Sequence, residues 1–159
     1  MIGVVGGGQL AMLLVEAGKE RDVDVVVQTA AKTDPAAKKT NQVILHDPTN
    51  PVGTKLLAEK SSLITFENEW IDIPSLLSLQ TNGVSFVPRL ESIRPLINKI
   101  TQRELLNSLD IPCPDWMSIP LDKSQEIHLP SDWKFPLMAK AAKGGYDGKG
   151  TKIIKNSKQ

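Results

Sequence analysis

Residues 140–151, KAAKGGYDGKGT, hold four glycines within seven residues and lie between two short apolar runs. The run before them, FPLMA at residues 135–139, has the length of a buried strand, and the run after them, TKIIK at residues 151–155, is rich in β-branched residues. We therefore expect a strand, a glycine-rich turn and a returning strand. Because each glycine costs about 0.5–1 kcal/mol relative to alanine when it is ordered, this concentration of glycines indicates a close approach of the backbone to a ligand.

The charges of the same segment indicate which ligand this is. Backbone N–H groups without neighbouring Cβ atoms can face phosphate oxygens, and Lys140, Lys143 and Lys149 add positive charge nearby. The expected ligand is a nucleoside triphosphate, and the alternative is an ordinary exposed hairpin turn. The segment is not a Walker A motif, because no Gly-Lys-Ser/Thr precedes a helix, so a P-loop fold is disfavoured.

Length and composition limit the classes of function. With 159 residues, the chain has room for one domain and the beginning of another. Nineteen basic and eighteen acidic residues nearly cancel, which gives no electrostatic case for a nucleic acid or an anionic membrane. No apolar run approaches the roughly 18 residues of a membrane span. The single cysteine, Cys113, cannot form an internal disulfide, and we expect a cytoplasmic protein.

The start of the chain predicts a strand, a turn and a helix. Residues 1–5 are apolar, Gly6, Gly7 and Gly8 form the turn, and four apolar residues then recur at helical spacing: Leu10, Leu13, Leu14 and Ala17. The pattern Gly6-x-Gly8-x-x-Ala11 nearly matches a dinucleotide fingerprint. The acid that should end the second strand is missing, because residues 24–29 finish in Gln28 and Thr29. We therefore disfavour a nicotinamide or flavin site and keep the turn as a site for an anion or a small molecule.

Alternating strands and helices follow, which predicts an α/β fold with a parallel sheet. The predicted strands cover residues 24–29, 42–46, 63–66 and 84–87, and the predicted helices cover residues 54–60, 73–81, 90–96 and 98–109. Pro112 and Pro114 interrupt the chain, so we place a boundary within residues 111–116, between a sheet domain at 1–110 and a second domain at 111–159. Glu67 and Glu69 follow the fourth strand, where ligands of parallel sheets gather, although a solvated strand end is the alternative.

Five motifs in this order resemble the 5-(carboxyamino)imidazole ribonucleotide synthetase family of ATP-grasp ligases. They are VVGGGQL at residues 4–10, ITFENE at 64–69, INKITQREL at 97–105, IPCP at 111–114 and KAAKGGYDGKG at 140–150. The resemblance implies a Rossmann-like pre-ATP-grasp domain followed by the beginning of an ATP-grasp domain. It also implies a reaction of purine biosynthesis, in which ATP phosphorylates bicarbonate and the carboxyphosphate carboxylates 5-aminoimidazole ribonucleotide.

The resemblance also implies the site residues, although it identifies no catalytic residue. ATP would be held by Lys99, Lys140, Gly145, Tyr146, Asp147, Gly148, Lys149, Gly150 and Thr151, and the ribonucleotide would contact Gln9, Leu10 and Glu67. Lys99 stands where the family has an arginine, so the charge is kept and the planar fork is lost. Thr151 replaces a glutamine, and Phe66-Glu67-Asn68-Glu69 replaces Tyr-Glu-Phe-Glu.

Family members continue beyond the glycine-rich segment and supply magnesium ligands there. We therefore expect this chain to correspond to the N-terminal portion of the enzyme and to be inactive alone. The complete enzyme is expected to depend on magnesium and to form a homodimer. Two alternatives of other classes stay open. One is a nucleotide- or metabolite-binding module without chemistry, and the other is a fragment of a dinucleotide-dependent oxidoreductase.

Overall fold

The computed structural model describes residues 1–119, 122, 127–145 and 149–158. Contacts divide the chain into two compact units, Met1–Ile97 and Asn98–Gln159. The boundary predicted within residues 111–116 lies inside the second unit. The helix before that boundary belongs to the second unit, where the backbone N–H of Lys99 donates to the carbonyl of Ala142 at 2.8 Å. No helix among the described residues has the length and apolar character needed to cross a membrane.

The first unit is built on a parallel sheet of four strands, which confirms the predicted α/β class. The strands are β1 (Ile2–Val5), β2 (Val25–Thr29), β3 (Val43–Leu45) and β4 (Leu63–Phe66). Their order in the sheet is β3-β2-β1-β4. β1 therefore lies between β2 and β4, with Val5 opposite both Gln28 and Phe66, so that the turns after these three strands meet at one edge.

Helices cover the sheet on both faces. They are α1 (Gln9–Lys19), α2 (Pro51–Ala58), α3 (Ile73–Thr81) and α4 (Leu90–Ile93), with 3-10 turns at Ala36–Lys38 and Arg94–Leu96. One buried cluster includes Val5, Leu57 and Ile64, and the other includes Val4 and Val15. Alternate residues of β1 thus enter opposite cores, as the strand period requires.

The helical spacing predicted for the first helix is confirmed, but its buried face is made of small residues. Ala11, Val15 and Gly18 face the sheet, whereas Leu10, Leu13 and Leu14 are exposed. A Cβ atom at Gly18 would lie 2.7 Å from the carbonyl oxygen of Val23. Small side chains therefore let α1 approach the sheet closely.

Three predicted elements of the first unit differ from the structure. Residues 84–87 are not a full strand, because only Phe86 forms a bridge, to Ile64 of β4. The helix predicted at 90–96 ends at Ile93 and continues as a 3-10 turn, since Pro95 lacks a backbone N–H. The helix predicted at 54–60 begins earlier, at Pro51, because the side chain of Asn50 accepts a hydrogen bond from the N–H of Val52 at 2.9 Å.

The second unit consists of the helix α5 (Lys99–Ser108) and an antiparallel hairpin of β5 (Leu137–Lys140) and β6 (Thr151–Ile154). The strand, glycine-rich turn and returning strand predicted for this region are therefore confirmed. No described residue of this unit is buried, whereas the first unit contains two buried clusters. The described residues of the hairpin are exposed or half-buried.

Candidate functional site

The first candidate site is the edge where β1 and β4 end. β1 leads into Gly6–Gly8, and β4 leads into Glu67, whose backbone N–H donates to the carbonyl of Val5 at 2.9 Å. The two strands are adjacent and parallel, so both turns point to the same side. This pairing brings Glu67 against the N-terminus of α1, although the two are almost sixty residues apart in sequence.

The carboxylate of Glu67 occupies that N-terminus. One oxygen, Oε2, accepts from the N–H of Gly8 at 2.8 Å, and the other, Oε1, accepts from the N–H groups of Leu10 and Ala11 at 3.2 and 3.4 Å. Gly8, the N-cap residue, has no side chain that could do this. A negative group at a helix N-terminus satisfies free amides and the helix dipole, worth about 0.3–1 kcal/mol for the dipole alone. The place where a dinucleotide fingerprint holds pyrophosphate is therefore filled by the protein's own carboxylate.

The opposite side of the glycine turn is closed as well. The hydroxyl of Thr29 donates to the carboxylate of Asp34, which also accepts from the N–H of Ala31 at 3.3 Å. The N–H of Ala36 donates to the carbonyl of Gly7 at 3.0 Å. A Cβ atom on Gly7 would collide with the Thr29 side chain. The turn is thus enclosed by Glu67 on one side and by the Thr29–Asp34 loop on the other.

Gln28 stands where a dinucleotide site would have an acid, and the structure shows what it does instead. It is fully buried, and its Nε2 atom donates to the carbonyls of Asp47 and Asn50 at 2.8 and 3.1 Å. Its Oε1 atom accepts from the hydroxyl of Thr54 at 2.9 Å. All of its hydrogen-bonding groups are thereby used within the protein, which argues against a ribose contact at this position.

Asp47 follows β3 at the same edge of the sheet. Its Oδ1 atom accepts from the hydroxyl and the backbone N–H of Thr49, at 2.6 and 2.8 Å. These two hydrogen bonds, first from the side chain and then from the backbone, lower the pKa of Asp47. The ionised carboxylate therefore shapes its own exposed loop.

The structure brings together the three residues expected to contact a ribonucleotide. Gln9 and Leu10 open α1 and are exposed, and the half-buried Glu67 bonds to the N–H of Leu10. Their grouping follows from the pairing of β1 and β4. The sequence indicated Glu67 through its place after a strand of the parallel sheet, and the hydrogen bonds of its carboxylate to α1 follow from the pairing of β1 with β4.

The second candidate site is the turn of the hairpin. Lys140 pairs directly with Thr151, as the last pair of β5 and β6, and the N–H of Ala141 then donates to the carbonyl of Gly150 at 2.7 Å. Directly opposed residues of an antiparallel pair lie on the same face of the hairpin. Lys140 and Thr151 are therefore neighbours at the base of the glycine-rich segment, and both are exposed.

Gly145 and Gly150 lie close together at the base of this turn, and Gly144 lies beside them. A Cβ atom on Gly150 would lie 3.1 Å from the Cβ of Ala141 and 3.2 Å from the Cα of Gly145. Gly144 has a φ of +73°, close to the +75° of Gly150, but a Cβ added to it would meet none of the described residues within 4 Å. The described residues therefore leave the space beside Gly144 open. Tyr146, Asp147 and Gly148, also predicted to bind ATP, lie outside the described residues.

The start of α5 lies against the same turn. The N–H of Lys99 donates to the carbonyl of Ala142 at 2.8 Å, and the side chain of Asn98 caps the helix by accepting from the N–H of Ile100 at 2.8 Å. Lys99, Lys140, Gly145, Gly150 and Thr151 thus belong to one continuous part of the second unit. Sequence reasoning did not single out Asn98. Its signal was present, since asparagine directly before a helical segment is typical of an N-cap.

The described residues contain no group of three His, Cys, Asp or Glu side chains that could hold a metal ion. They offer glycine backbone and lysine side chains, which suit phosphate oxygens, and no carboxylate cluster for magnesium. No step of a reaction can therefore be assigned to a magnesium ion from these residues.

Comparisons with known proteins agree with both regions. Residues 1–95 match the model of the ribonucleotide synthetase preATP-grasp domain, and residues 104–159 match that of the ATP-grasp domain. The N5-carboxyaminoimidazole ribonucleotide synthase of Synechocystis is 40% identical over 153 residues, which are 96% of this chain and 38% of the relative. The chain thus spans less than half the length of this relative.

Solved structures give the same result. The N5-carboxyaminoimidazole synthetase of Staphylococcus aureus, complexed with ADP, superposes with a TM-score of 0.84 at 26% identity, over 99% of this chain and 42% of that one. The carboxyaminoimidazole ribonucleotide synthase of Aspergillus clavatus, complexed with ATP, gives a TM-score of 0.82 at 26% identity, over 98% of this chain and 41% of that one.

Proposed function

Because the chain belongs to the ribonucleotide synthetase preATP-grasp family, whose model matches residues 1–95, we propose that it is the N-terminal part of an ATP-dependent ligase. The ligase carboxylates 5-aminoimidazole ribonucleotide with bicarbonate in de novo purine biosynthesis. ATP transfers its terminal phosphoryl group to bicarbonate and leaves as ADP. The amino group of the ribonucleotide then attacks the carbon of carboxyphosphate, and inorganic phosphate leaves.

The observation that carries this proposal is the hairpin turn with its lysines. Lys140 lies at the base of the turn beside Thr151, Gly144 leaves open space, and α5 brings Lys99 to the same turn. Backbone amides and ammonium groups of this kind stabilise phosphate charge, and they act by position without forming covalent bonds. We assign the ATP phosphates to this turn, including Gly145, Lys149 and Gly150.

The ribonucleotide is assigned to Gln9, Leu10 and Glu67. This assignment is supported by their common edge of the sheet, at the carboxyl ends of β1 and β4, where ligands of parallel sheets bind. We propose that the whole enzyme requires magnesium, which is bound by residues elsewhere in the enzyme. We also propose that the enzyme works in the cytoplasm and forms a homodimer.

A matched pair of lysine variants tests the ATP site. The chain is completed with the C-terminal portion of the Synechocystis relative, and ATP affinity and turnover are measured for Lys140→Ala and Lys152→Ala. Lys152 is exposed on the same hairpin, but it pairs with Ala139 and lies on the other face. Lys140→Ala should lose a charge-assisted contact of about 1.5–3 kcal/mol, whereas Lys152→Ala should bind ATP normally. Unchanged ATP affinity in Lys140→Ala would refute the assignment.

A second pair tests the ribonucleotide site in the same completed enzyme. Glu67→Gln should raise the KM for the ribonucleotide and leave the KM for ATP nearly unchanged. Asp34→Asn, on the other side of the glycine turn, controls for a general loosening of that turn. A rise in the KM for ATP alone would show that Glu67 has been placed in the wrong site.

A further inference from the structure

Asn98 sets the point where the chain turns into α5. Its backbone is extended, with φ −132° and ψ 128°, and its side chain accepts from the N–H of Ile100 at 2.8 Å. Its carbonyl accepts from the N–H of Gln102 at 2.9 Å and from the hydroxyl of Thr101 at 3.0 Å. One residue thus satisfies several groups of the first helical turn and fixes its direction.

The N–H of Lys99 is not used by this cap. Instead, this N–H donates to the carbonyl of Ala142, outside the helix, at 2.8 Å. Ala142 lies two residues after the end of β5 and two residues before Gly144. The cap at Asn98 therefore directs the N–H of Lys99 toward the residues that lead from β5 into the glycine-rich turn.

The neighbouring residue, Ala141, is hydrogen-bonded across the turn. Its N–H donates to the carbonyl of Gly150, the residue before β6, at 2.7 Å. Ala141 thus contacts the end of the turn, and Ala142 contacts the start of α5. If the side-chain cap is lost, the first turn of α5 frays, because the N–H of Ile100 loses its acceptor. The hydrogen bond from Lys99 to Ala142 then weakens with it.

We propose that Asn98 is a positioning residue that holds the backbone of Lys99 and the glycine-rich turn in one arrangement. This inference rests on the proposed ATP site for its functional meaning. Its structural content is separate, because the coupling between the cap and the turn exists without ATP. Asn98 itself need not touch the nucleotide.

Hydrogen exchange of the 159-residue chain tests the coupling, with Asn98→Ala compared with Asn50→Ala. Asn50 caps α2 in the same way, accepting from the N–H of Val52 at 2.9 Å, and it belongs to the first unit, whereas the hairpin belongs to the second. Removing such a cap commonly costs a factor of roughly 2 to 30 in the local equilibrium. Asn98→Ala should speed exchange by that factor at Ile100 and also at Lys99 and Ala141. Asn50→Ala should speed exchange only near Val52.

Two further variants keep the test decisive. Asn98→Asp can still cap the helix and should retain slow exchange at Lys99 and Ala141, while Asn98→Gly, a milder loss, should fall in between. Amides of β1–β4 report that the first unit of each variant is folded, and amides of the paired residues of β5 and β6 report that the hairpin is formed. Faster exchange at Ile100 with unchanged exchange at Lys99 and Ala141 would show an ordinary cap and overturn the proposal.

Addition of ATP to the wild-type chain reports on the proposed function separately. If ATP leaves the exchange of Ala141 unchanged while Asn98→Ala accelerates it, the ATP assignment fails and the positioning role stands. If ATP slows this exchange in the wild type but Asn98→Ala does not change it, the positioning role fails and the ATP assignment stands.

Discussion

Gly6–Gly8 and the described glycines between β5 and β6 both belong to glycine-rich segments that follow a strand, but their surroundings are opposite. Around the first turn, Glu67 and Thr29 lie where any added side chain would go, and a Cβ on Gly6 would meet two Glu67 atoms at 2.5 Å. Around the second turn, a Cβ added at Gly144 would meet none of the described residues within 4 Å. The space beside the first turn is therefore filled by the protein, whereas the described residues leave the space beside Gly144 open.

The same comparison holds for charge. The amides of the first turn and of α1 are taken by the carboxylate of Glu67. The second turn has Lys140 at its base, and the backbone of Lys99 bonds to it. Two similar sequence patterns thus have different surroundings: the first is packed between a helix and a sheet edge, and the second has lysines beside it, where we propose that the ATP phosphates bind. What fills the space beside each glycine distinguishes them.

The largest effect should come from filling the packed turn. Gly6→Ala combines a φ of +124° with a collision against Glu67, so it should cost about 3 kcal/mol or more of unfolding free energy. Gly83→Ala is the control, because its φ is +91° but its Cβ would meet nothing within 4 Å. It should cost only about 1–2 kcal/mol. Urea unfolding of both variants gives the two values, and equal losses would mean that the first turn is not closed by packing.

A smaller loss of unfolding free energy is expected when the carboxylate that fills the packed turn is removed. Glu67→Ala leaves the amides of Gly8, Leu10 and Ala11 without their acceptor, which should cost about 1.5–3 kcal/mol. Inorganic phosphate should then recover part of the loss, because it can reach the freed amides. The exposed Glu59 supplies the control variant Glu59→Ala. Thermal unfolding with and without phosphate measures both effects, and an equal phosphate response in the wild type would argue that the turn is open.

The smallest difference is expected inside the hairpin turn. Gly144→Ala and Gly150→Ala change residues with nearly the same φ, +73° and +75°, so their backbone strain is matched. Of these two positions, only at Gly150 would an added Cβ have neighbours at 3.1–3.2 Å. Gly150→Ala should therefore lower the local stability by roughly 1 kcal/mol more than Gly144→Ala. Hydrogen exchange at Ala141 measures this. A larger loss in Gly144→Ala would show that Gly150 is not the more closely packed of the two.

Local patterns predicted most of the elements. Apolar runs and turn residues located β1–β4, and the position of Glu67 after β4 indicated a ligand edge. Interactions across long sequence distances could not be predicted in this way. The capping of α1 by Glu67 needs the pairing of β1 with β4, and the contact between Lys99 and Ala142 needs the packing of α5 beside the hairpin.

One segment was predicted wrongly, and the buried face of one confirmed helix was not foreseen. Residues 84–87 have the composition of a strand but make only one bridge, because strand pairing depends on a neighbour as well as on propensity. The spacing of Leu10, Leu13 and Leu14 indicated a helix, yet the sheet-facing side of α1 consists of Ala11, Val15 and Gly18. Close approach of α1 to the sheet selects small residues, which hydrophobicity patterns rank below leucine.

Amide NMR of the 159-residue chain during titration with magnesium ATP tests the contrast between the two turns most directly. We predict that the amide signals of Gly144, Gly145 and Gly150 shift with ATP, together with that of Lys99, whose N–H bonds to the carbonyl of Ala142. The amides of Gly8, Leu10 and Ala11, which are held by Glu67, should stay in place. Shifts at Gly8, Leu10 and Ala11 without shifts at the hairpin would contradict the account.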